Sequence, residues 1–373
     1  MPAYRGHVAL LCFSQSLGGL ELSTLRIAAA VQKRGVRTSL VLPPESPLAR
    51  RAHESGLDAI LLAPRWKYGD LSAANKLATV LAERSIDRLI LMQSKDIHLA
   101  ALATIRAPRT KLVFYQQMMS GYNKRDPIHT WMYSRLSYWV TLTDGMRQNV
   151  LTFTRVPKEK VTVVPLGVDH QRFDPKKVSK SEARAFFRLS KRAPIVGVLG
   201  RLDPQKGQEV FLRAVPEVLQ THPDTRFVVA GDETAGEPGY RSFLQKCARD
   251  FGVEDHVTFL PHTEDVPRLL AALDVFVLPS FAETYGLVVI EAMAMGVPVI
   301  ATNAGGVPEI VTNGKTGILV EPRNSASLAR GIDRVLGNPT FRNSLSREAR
   351  EEALRKYDFE DCVDALLACL AMV

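Results

Sequence analysis

Short apolar runs that alternate with longer amphipathic stretches constrain the fold of this chain more than any other feature. The first series opens with an apolar run at 7–13, a helical pattern over 21–34 and a second apolar run at 38–42. Further apolar runs follow at 88–92, 111–115, 138–142 and 161–164. Strands separated by helical segments predict a parallel sheet that is covered by helices on both faces.

A second series of the same kind follows a polar, lysine-rich stretch that begins after Asp169. Its apolar runs lie at 194–199, 226–230, 256–260, 275–278, 297–302 and 317–320. At 373 residues the chain exceeds what one hydrophobic core usually serves. We therefore predict an α/β protein of two Rossmann-like, doubly wound domains, 1–168 and 169–356, whose sheets face an interdomain cleft. The final helix, about 357–373, is expected to pack back onto the first domain.

The charge of the chain is divided unevenly between the two predicted domains. Residues 1–168 hold 23 Lys and Arg against 11 Asp and Glu, whereas residues 169–373 hold 25 against 28. A net charge of +12 in the first domain suits an anionic membrane, a phosphorylated acceptor or nucleic acid, although solubility alone also explains it. The arginines are dispersed and no RNA-binding signature is present, so we predict no nucleic-acid partner.

The composition indicates a folded protein of the cytoplasm. Hydrophobic residues make up 46% of the chain, and no apolar run approaches the roughly 18 residues that span a bilayer. Residues 1–14 are too short and wrongly flanked for a secretory signal, which favours a cytoplasmic location, with peripheral contact at the inner face of a membrane. Four scattered cysteines, without a CxxC pair, predict neither a disulfide framework nor a zinc site.

Paired glycines follow the first predicted strand, in the segment SLGGLE. Gly18 and Gly19 let the backbone approach an anion, and free amides at the start of a helix complement negative charge. The dinucleotide fingerprint GxGxxG is absent, and a glycine turn also occurs for packing reasons alone. The segment therefore predicts either a phosphate contact or a simple turn.

Two cations lie five residues apart in the segment GRLDPQKG, just after the strand at 194–199. Arg201 and Lys206 can converge on one diphosphate, because arginine offers a planar fork and lysine a point charge. Cations so placed neutralise the charge that develops on a leaving diphosphate without a metal ion. The alternative is a solvated basic turn.

The segment ETYGLVVIEA follows the strand at 275–278 and holds two glutamates. Glu291 lies in an apolar helical run, where a carboxylate needs a hydrogen-bonding partner, and ribose hydroxyls would supply one. Glu283 precedes the helix, and the amides of Thr284, Tyr285, Gly286 and Leu287 lie at its start, where phosphate oxygens and sugar hydroxyls bind. The alternative is a capping glutamate followed by a helical glutamate that points to solvent.

Taken in order, these segments resemble the retaining glycosyltransferases of family 4, which have the GT-B fold. The resemblance covers about 18–322 and comprises GGLE, PLGVD, GRLDPQKG, GDE, FLP and ETYGLVVIEAMAMGVPVIATNAGGVPEIV. It implies a hexosyltransferase that moves sugar from a UDP-, GDP- or ADP-linked donor to an acceptor hydroxyl in lipopolysaccharide, polysaccharide or glycolipid synthesis. The first domain would bind the acceptor, a saccharide or an anionic lipid-linked molecule, and the second would bind the donor.

The resemblance also implies roles for the residues named above. Glu291 would hold the ribose, Glu283 the sugar hydroxyls, and Arg201 with Lys206 the diphosphate, while Gly18 and Gly19 would approach it from the first domain. No DxD triplet occurs, so we predict no catalytic metal and no cofactor beyond the nucleotide sugar. Retention in this family is thought to use the departing phosphate oxygen to deprotonate the acceptor, which requires no protein nucleophile. Base recognition is expected near Leu260-Pro261-His262.

The chain departs from the family in the loop after the strand at 111–115. Relatives often carry a histidine there, near the reacting sugar, whereas this chain has Gln117, which donates to a hydroxyl but cannot titrate. His129 is another candidate for that contact, although a lone histidine beside Trp131 is more often structural. Lys95 and Asp96, after the strand at 88–92, either touch the acceptor or, as we expect, are surface charges.

Two rival functions remain open from the sequence. A nucleotide-sugar epimerase or a phosphorylase shares the architecture, but a phosphorylase needs a lysine for pyridoxal phosphate and a far longer chain. A non-catalytic sugar-nucleotide-binding protein is favoured by the missing histidine, whereas the intact Arg201, Lys206, Glu283 and Glu291 weigh against it.

Overall fold

Two separate parallel sheets organise the chain. The computed structural model describes residues 4–66, 68–119, 122–233 and 238–372. Its contacts divide the chain into a first unit, Met1–Pro165 with Glu360–Val373, and a second unit, Leu166–Phe359. Each unit has its own sheet and its own core, and the assignment of acceptor and donor binding to the two domains stays a prediction.

The sheet of the first unit contains seven strands, all paired in parallel, in the order β3-β2-β1-β4-β5-β6-β7. The strands are β1 (His7–Leu11), β2 (Arg37–Leu42), β3 (Asp58–Leu61), β4 (Arg88–Leu91), β5 (Lys111–Gln116), β6 (Leu136–Thr141) and β7 (Val161–Val163). Every residue of β1 is buried, as expected for a central parallel strand that is covered on both faces.

Seven α-helices belong to the described part of the first unit. They are α1 (Gly19–Lys33), α2 (Pro47–Glu54), α3 (Leu71–Glu83), α4 (Ile97–Arg106), α5 (Pro127–Ser134), α6 (Asp144–Phe153) and the C-terminal helix (Phe359–Ala371), of which all but Phe359 lies in this unit. Side-chain caps begin several of them, because Asp70, Asp126 and Thr143 accept hydrogen bonds from the first-turn amides of α3, α5 and α6. The C-terminal helix is held by Arg34, whose Nε lies 2.5 Å from Asp364 Oδ1.

The sheet of the second unit contains six strands, also all parallel, in the order β10-β9-β8-β11-β12-β13. The strands are β8 (Ile195–Leu199), β9 (Arg226–Ala230), β10 (Val257–Leu260), β11 (Val275–Leu278), β12 (Val299–Thr302) and β13 (Ile318–Val320). Renumbered within the unit, this order is 3-2-1-4-5-6, which is that of dinucleotide-binding doubly wound sheets.

The helices of the second unit cover both faces of this sheet. They are α7 (Lys180–Phe186), α8 (Gln208–Thr221), α9 (Tyr240–Asp250), α10 (Val266–Ala272), α11 (Leu287–Ala294), α12 (Val307–Ile310), α13 (Ser325–Leu336) and α14 (Pro339–Lys356), after which the C-terminal helix is α15. Asn324 and Asn338 cap α13 and α14, and Pro339 stands at the first position of α14, where its missing N–H costs nothing.

The observed strands confirm the predicted doubly wound α/β fold, with one addition. β3 was not predicted, because its sequence DAIL is only four residues long and a single one of them, Ile60, is buried. It lies at the edge of the sheet, and three of its four residues are at least partly exposed, so it needs few apolar side chains. Among the described residues, no helix has the length and apolar character that crossing a bilayer demands.

The strand orders determine where ligands bind. In each sheet the order reverses beside the first strand of the unit, between β1 and β4 and between β8 and β11. Ligands of open α/β sheets bind outside the carboxyl ends of the strands at this switch point. The loops after these four strands are therefore the candidate sites.

Candidate active site

The two donor-site segments predicted from the sequence emerge from neighbouring strands of the second unit. β8 precedes Arg201 and Lys206, β11 precedes Glu283, and the two strands pair in parallel with Val277 opposite Val198. Because parallel strands end at the same edge, the two loops leave the sheet side by side. Residues 77 positions apart in sequence are thereby brought together.

Close backbone packing holds these two loops against each other. Gly207, which begins α8, has a left-handed φ of +72°, and a Cβ on it would lie only 2.1 Å from Pro279 O. Phe281 N donates to Gln205 O at 2.8 Å. Only glycine satisfies both the conformation and the close approach, so the last glycine of GRLDPQKG is needed for packing as well as for any ligand.

Lys206 and Glu283 form an ion pair at the centre of this arrangement. Lys206 Nζ lies 2.7 Å from Glu283 Oε2, and the two side chains are 30% and 15% exposed. Ser280 Oγ donates to the same carboxylate oxygen at 3.2 Å. The sequence placed both residues in the site but did not predict this pairing. Ser280, which orients the carboxylate, was also missed.

The backbone of Glu283 is fixed by the loop that follows β12. Gly306 N donates to Glu283 O at 2.9 Å, and a Cβ on Gly305, whose φ is +60°, would lie 1.9 Å from that oxygen. The paired glycines of NAGG therefore support the site, a role that sequence reasoning did not give them. A glycine pair directly after a strand is the signal that indicates such a close approach.

Arg201 is arranged differently from Lys206. Its guanidinium pairs with Asp203, Nη2 to Oδ2 at 2.8 Å, and its side chain is largely exposed. Gln208 Nε2 donates to Arg201 O at 2.8 Å, which ties this loop to α8. The structure thus joins Lys206 to Glu283 and leaves Arg201 at the solvent-facing side of the same loop.

The remaining predicted donor residues belong to α11 and its start. Gly286 is the N-cap of α11 with a φ of +93°, so the helix begins at Leu287 after the turn formed by Thr284 and Tyr285. Tyr285 is buried and its hydroxyl donates to Leu166 O at 2.7 Å, which leaves only its backbone for a ligand. Glu291 is buried inside α11, so the interpretation as a solvent-pointing helical glutamate is wrong.

The segment expected to recognise the base follows β10. His262 N donates to Asp232 Oδ1 at 3.2 Å, and Asp232 itself follows β9 in the GDE segment. Arg241 Nη2 donates to both Gly231 O and Leu260 O, at 2.6 Å and 3.2 Å. The ends of β9 and β10 are therefore tied together beside β8, although a role in base recognition stays a prediction.

In the first unit, the glycine pair after β1 begins α1. Gly18 is the N-cap, and its N–H donates to Glu21 Oε2 at 2.7 Å. Glu21 is buried and also accepts from Ser16 Oγ at 3.2 Å. A Cβ on Gly19 would meet no atom within 4 Å, so the space beside Gly19 is open. The phosphate contact predicted for Gly18 and Gly19 stays a prediction.

Gln117 lies just after β5 and is only partly satisfied. Its Oε1 accepts from Ser23 Oγ at 2.8 Å, whereas its Nε2 is buried without a hydrogen-bond partner. Gln93, which follows β4, has a buried and unpartnered Oε1. Both line one cavity of ≈ 180 Å³. Residues 120 and 121 of the loop after β5 lie outside the described residues.

His129 lies in the first turn of α5. Its Nδ1 is 2.6 Å from Asp126 Oδ2, and the same aspartate caps the helix by accepting from His129 N. The backbone N–H of His129, followed by its ring, lowers the pKa of Asp126. The ring also packs near Tyr133, with centroids 5.7 Å apart. These contacts give His129 a structural partner, and its role at the sugar stays a prediction.

The expectation that Asp96 is a surface charge is wrong. Asp96 is only 3% exposed, and its Oδ2 accepts from Phe13 N at 3.1 Å. Burial raises the pKa of its carboxyl to about 7, although the hydrogen bond from Phe13 and the charge of Lys95 act in the opposite direction. Lys95 itself is exposed and donates to Phe13 O at 3.1 Å. The extension of β1 beyond Leu11 therefore covers Asp96, which sequence position alone does not reveal.

Charged and titratable side chains are not clustered as in a metal centre. Within the described ranges, no three His, Cys, Asp or Glu residues lie close enough together to hold a metal ion. The four cysteines are all free and buried.

Family models match both halves of the chain. The model described as Glycosyltransferase Family 4 matches residues 17–172, and the model described as Glycosyl transferases group 1 matches residues 179–352. The first match contains Gly18, Gly19 and Gln117, and the second contains Arg201, Lys206, Glu283 and Glu291.

Curated relatives carry glycosyltransferase names. The D-inositol 3-phosphate glycosyltransferase of Stackebrandtia nassauensis is 30% identical over 319 residues, which are 84% of this chain and 65% of the relative. A GDP-mannose-dependent alpha-(1-6)-phosphatidylinositol monomannoside mannosyltransferase of Mycolicibacterium smegmatis is 35% identical over 213 residues, 54% of each chain. The chain thus spans between half and two thirds of the length of these relatives.

A solved structure with the same fold comes from Anabaena. The protein HepE, in complex with UDP and glucose, superposes with a TM-score of 0.86 at 22% identity, over 99% of this chain and 100% of the neighbour. This likeness confirms the predicted GT-B fold. The two family matches, over residues 17–172 and 179–352, show that the chain belongs to glycosyltransferase family 4.

Proposed function

We propose that this chain is a retaining glycosyltransferase that moves a hexose from a nucleotide sugar to an acceptor hydroxyl without a metal ion. The observation that carries the proposal is the Lys206–Glu283 ion pair, 2.7 Å apart at the switch point of the second sheet. An ammonium and a carboxylate at the carboxyl ends of adjacent strands suit a ligand that presents phosphate and hydroxyl groups together. A nucleotide sugar is such a ligand.

The donor diphosphate takes its charge neutralisation from Lys206 and Arg201. An ammonium has three donors, so Lys206 binds a phosphate oxygen while it keeps its bond to Glu283. Arg201 adds a second cation from the exposed side of the same loop. The amides at the start of α11 favour negative charge as well. Two cations and a helix terminus replace the role that a divalent ion plays in other transferases.

The reacting sugar lies beside Glu283 in this proposal. Glu283 holds sugar hydroxyls through its second carboxylate oxygen, and Glu291 holds the ribose. The bond from the anomeric carbon to the diphosphate oxygen breaks, and the bond to the acceptor oxygen forms on the same face of the sugar. The acceptor proton passes to the departing phosphate oxygen, so no protein nucleophile takes part.

The relatives support a nucleotide-diphosphate sugar as donor. One neighbour binds UDP and glucose, and one relative is named for GDP-mannose, so both bases, and ADP, belong in the test. We propose an acceptor that is a saccharide or an anionic lipid-linked molecule of cell-envelope or polysaccharide synthesis. Gln117 contacts a sugar hydroxyl in this scheme.

We also propose a cytoplasmic protein that touches the inner face of a membrane through its first unit. Its basic excess of 23 against 11 charges over 1–168 suits anionic lipid. Exposed apolar side chains in this unit, Tyr122 and Ile128 among them, suit the interface between lipid and water. Sedimentation with anionic and neutral vesicles tests this, and equal partitioning onto both removes the proposal. Ile128→Ser should halve the bound fraction or more.

A thermal-shift screen with UDP-, GDP- and ADP-linked hexoses tests the donor site. One donor should raise the melting temperature, because ligand binding to the folded state stabilises it. Lys206→Ala and Glu291→Ala should each abolish most of that rise, whereas Lys246→Ala, which breaks an exposed ion pair of α9, should leave it intact. If the Lys206 and Glu291 variants keep the full rise, the donor site lies elsewhere.

A second measurement separates transfer from the rival functions. Donor incubated without acceptor should be hydrolysed only slowly and should not be converted to an epimer. Adding EDTA should leave transfer unchanged. A donor that binds but is neither hydrolysed nor transferred across a broad acceptor panel would favour a non-catalytic binding protein.

A further inference from the structure

A cavity of ≈ 300 Å³ lies at the amino edge of the second sheet, the edge opposite to Lys206 and Glu283. We call it the amino-edge cavity. Its wall is formed by the segment that leads into α7, by Asp274 directly before β11, by residues 295–298 between α11 and β12, and by the first turns of α14. A volume of about 300 Å³ lies within the range of small-molecule sites.

Part of the wall of the amino-edge cavity is apolar. Leu273, Met295 and Val297 line it and are buried, and Val178 and Pro298 lie on the same wall. Apolar side chains favour a ligand with an aromatic or aliphatic body, because contact removes apolar surface from water. A small inorganic ion by itself would leave this wall in contact with water.

The cavity also carries two cations, Lys180 and Arg342. Arg342 lies in the first turn of α14 and is partly buried. Within the described part of the chain, its guanidinium makes no ion pair and no hydrogen bond to another side chain. Its planar set of N–H donors is therefore available to an anion, and phosphate oxygens match that geometry.

Lys180 can turn from its present partner to a ligand at low cost. Its Nζ lies 2.8 Å from Asp274 Oδ1, and its side chain is 49% exposed. Asp274 keeps a charged partner without this contact, because Arg184 Nη2 lies 2.6 Å from its Oδ2. Ile195 N donates to the same oxygen at 2.7 Å. Lys180 and Arg342 together can thus present two positive charges to one ligand.

The segment around Lys180 strengthens this positive charge. Residues 176–192 contain seven Lys and Arg against one Glu, although residues 169–373 as a whole hold 25 basic against 28 acidic side chains. Such a local excess attracts anions. A phosphate monoester carries a charge of about −2 near neutral pH, which two cations match, whereas a carboxylate would match only one of them.

Helix α11 connects the amino-edge cavity to the predicted donor site. Glu291 lies within this helix, and Met295, which follows its last residue, lines the cavity. The eight residues of α11 span only about 12 Å. Ser346 of α14, also on the cavity wall, donates from its hydroxyl to Gly296 O and so holds the end of α11. A ligand in the cavity therefore acts on the helix that carries Glu291.

We propose that the amino-edge cavity binds an organic phosphate, a phosphate monoester on an apolar body, and that its occupancy changes the affinity of the donor site through α11. Lys180 and Arg342 bind the phosphate group, and Met295 with Val297 contacts the apolar body. The site itself does not depend on the proposed transfer. The coupling rests on the proposed function, because it requires a donor beside Glu291.

Titration of the full chain with phenyl phosphate, inorganic phosphate and phenol tests the cavity directly. The readout is the methyl resonance of Met295 in protein that is ¹³C-labelled at its methionine methyl groups, assigned by its loss in Met295→Leu. Phenyl phosphate should shift this resonance saturably. It should bind about tenfold more tightly than inorganic phosphate or phenol, because only phenyl phosphate uses both the cations and the apolar wall.

Variants test the two parts of the site. Lys180→Gln with Arg342→Gln should weaken phenyl phosphate by about tenfold or more. Lys177→Gln with Arg347→Gln is the matched control, because it removes the same charge from the same segment and the same helix at exposed positions off the cavity wall. Val178→Ser should weaken phenyl phosphate by about threefold and leave inorganic phosphate unchanged.

Calorimetric titration with the nucleotide sugar that gives the largest thermal shift measures the coupling. Saturating phenyl phosphate should change donor affinity by about fivefold or more, and saturating donor should change phenyl phosphate affinity by the same factor. The Lys180→Gln, Arg342→Gln variant should lose this effect, whereas direct competition at the donor phosphates would persist in it.

A Met295 resonance that stays in place with phenyl phosphate removes the site, and an equal response to inorganic phosphate removes the apolar body. A Met295 response without any change in donor affinity refutes the coupling. Donor binding without a Met295 response refutes this inference alone. A Met295 response that depends on Lys180 and Arg342, in a chain that binds no nucleotide sugar, refutes the proposed transfer and leaves the site standing.

Discussion

At the carboxyl edge of the second sheet Lys206 and Glu283 neutralise each other, whereas at the same edge of the first sheet Asp96 and two amides keep unused hydrogen-bonding capacity. Both edges are switch points of the same kind of sheet. Their polar groups nevertheless differ in whether other protein groups pair with them. The charged pair at the second edge is satisfied before a ligand arrives, whereas the buried carboxyl at the first edge has no oppositely charged partner among the described residues.

This difference determines how much a ligand stabilises the polar groups at each edge. A paired ammonium and carboxylate accept a diphosphate sugar by sharing existing partners, so little free energy is lost in the unliganded protein. A buried carboxyl of raised pKa and buried amide atoms without partners, Gln93 Oε1 and Gln117 Nε2, lower the stability of the free protein, and a ligand with hydroxyl groups relieves that cost. The following predictions test the contrast, from the largest effect to the smallest.

The largest expected effect is on stability, at Asp96. Its folded-state pKa of about 7 lies above the ordinary value near 3.9, so between these values the folded protein binds more protons and loses stability as the pH rises. Above pH 7 the full cost, about 4 kcal/mol, is present. Asp96→Asn should therefore stabilise the protein strongly at about pH 8, less at about pH 5 and hardly at about pH 4, measured by chemical denaturation.

Asp274 in the second unit supplies the opposite case. Burial works to raise its pKa, but Lys180 at 2.8 Å, Arg184 at 2.6 Å and the N–H of Ile195 outweigh burial and lower it. Its contribution to stability is present above the unfolded pKa and lost as the pH falls through the folded one. Asp274→Asn should destabilise at neutral pH. If both variants shift stability in the same direction with pH, the contrast between the two units is wrong.

The second effect is on donor binding, at the Lys206–Glu283 pair. Lys206→Met should weaken donor binding by about 100-fold, or about 3 kcal/mol, because a charge that contacts phosphate is lost. The pair is partly exposed, so stability should fall by only about 1 kcal/mol. Adding Glu283→Gln should restore stability without restoring donor affinity. Calorimetric titration and urea denaturation measure the two quantities.

An exposed ion pair is the matched control for the Lys206 and Glu283 variants. Lys246 and Asp250 of α9 also lie 2.7 Å apart, but they are 67% and 54% exposed. Lys246→Met should change neither quantity measurably, because surface pairs contribute little. Restored donor affinity in the Lys206→Met, Glu283→Gln double variant would contradict a direct role for Lys206 at the phosphate.

The smallest effect is expected at the glutamines of the first unit. Gln93 has an unpartnered buried Oε1, so Gln93→Met should raise the free energy of unfolding by about 1 kcal/mol. Gln116 is the control, because its Nε2 donates to Met118 O and its Oε1 accepts from Trp139 Nε1, each at 2.8 Å. Gln116→Met should lower the free energy of unfolding by about 2 kcal/mol. A loss of stability in both variants would show that Gln93 is a structural amide.

Most of the fold was predictable from the sequence, for a physical reason. Strands buried on both faces, such as HVALL in β1 and IVGVL in β8, require continuous apolar runs, and these runs are visible at once. β3 was not predicted, because this edge strand contains only one buried residue and therefore lacks a continuous apolar run. α13 ends at Leu336 and α14 begins at Pro339, since asparagine and proline begin helices and do not continue them.

The candidate site was predictable in its members but not in its pairings. Arg201, Lys206, Glu283 and Glu291 were identifiable because glycines, cations and carboxylates follow apolar runs in a fixed order. The loop that carries Lys206 meets Glu283 only because β8 and β11 are neighbours, and sequence spacing does not encode the order β8-β11. The supporting role of Gly305 arises only when the loop after β12 contacts Glu283 O.

The sequence by itself determined the doubly wound α/β class, the family and the residues that carry charge at the strand ends, because each of these depends on local composition and order. Tertiary structure alone decided the electrostatic state of those residues. Asp96 stands next to exposed Lys95 in the chain, yet the segment after β1 covers it and removes it from water. Burial and partnership are properties of atoms brought together from distant parts of the chain, and they are what separates a surface charge from a binding group.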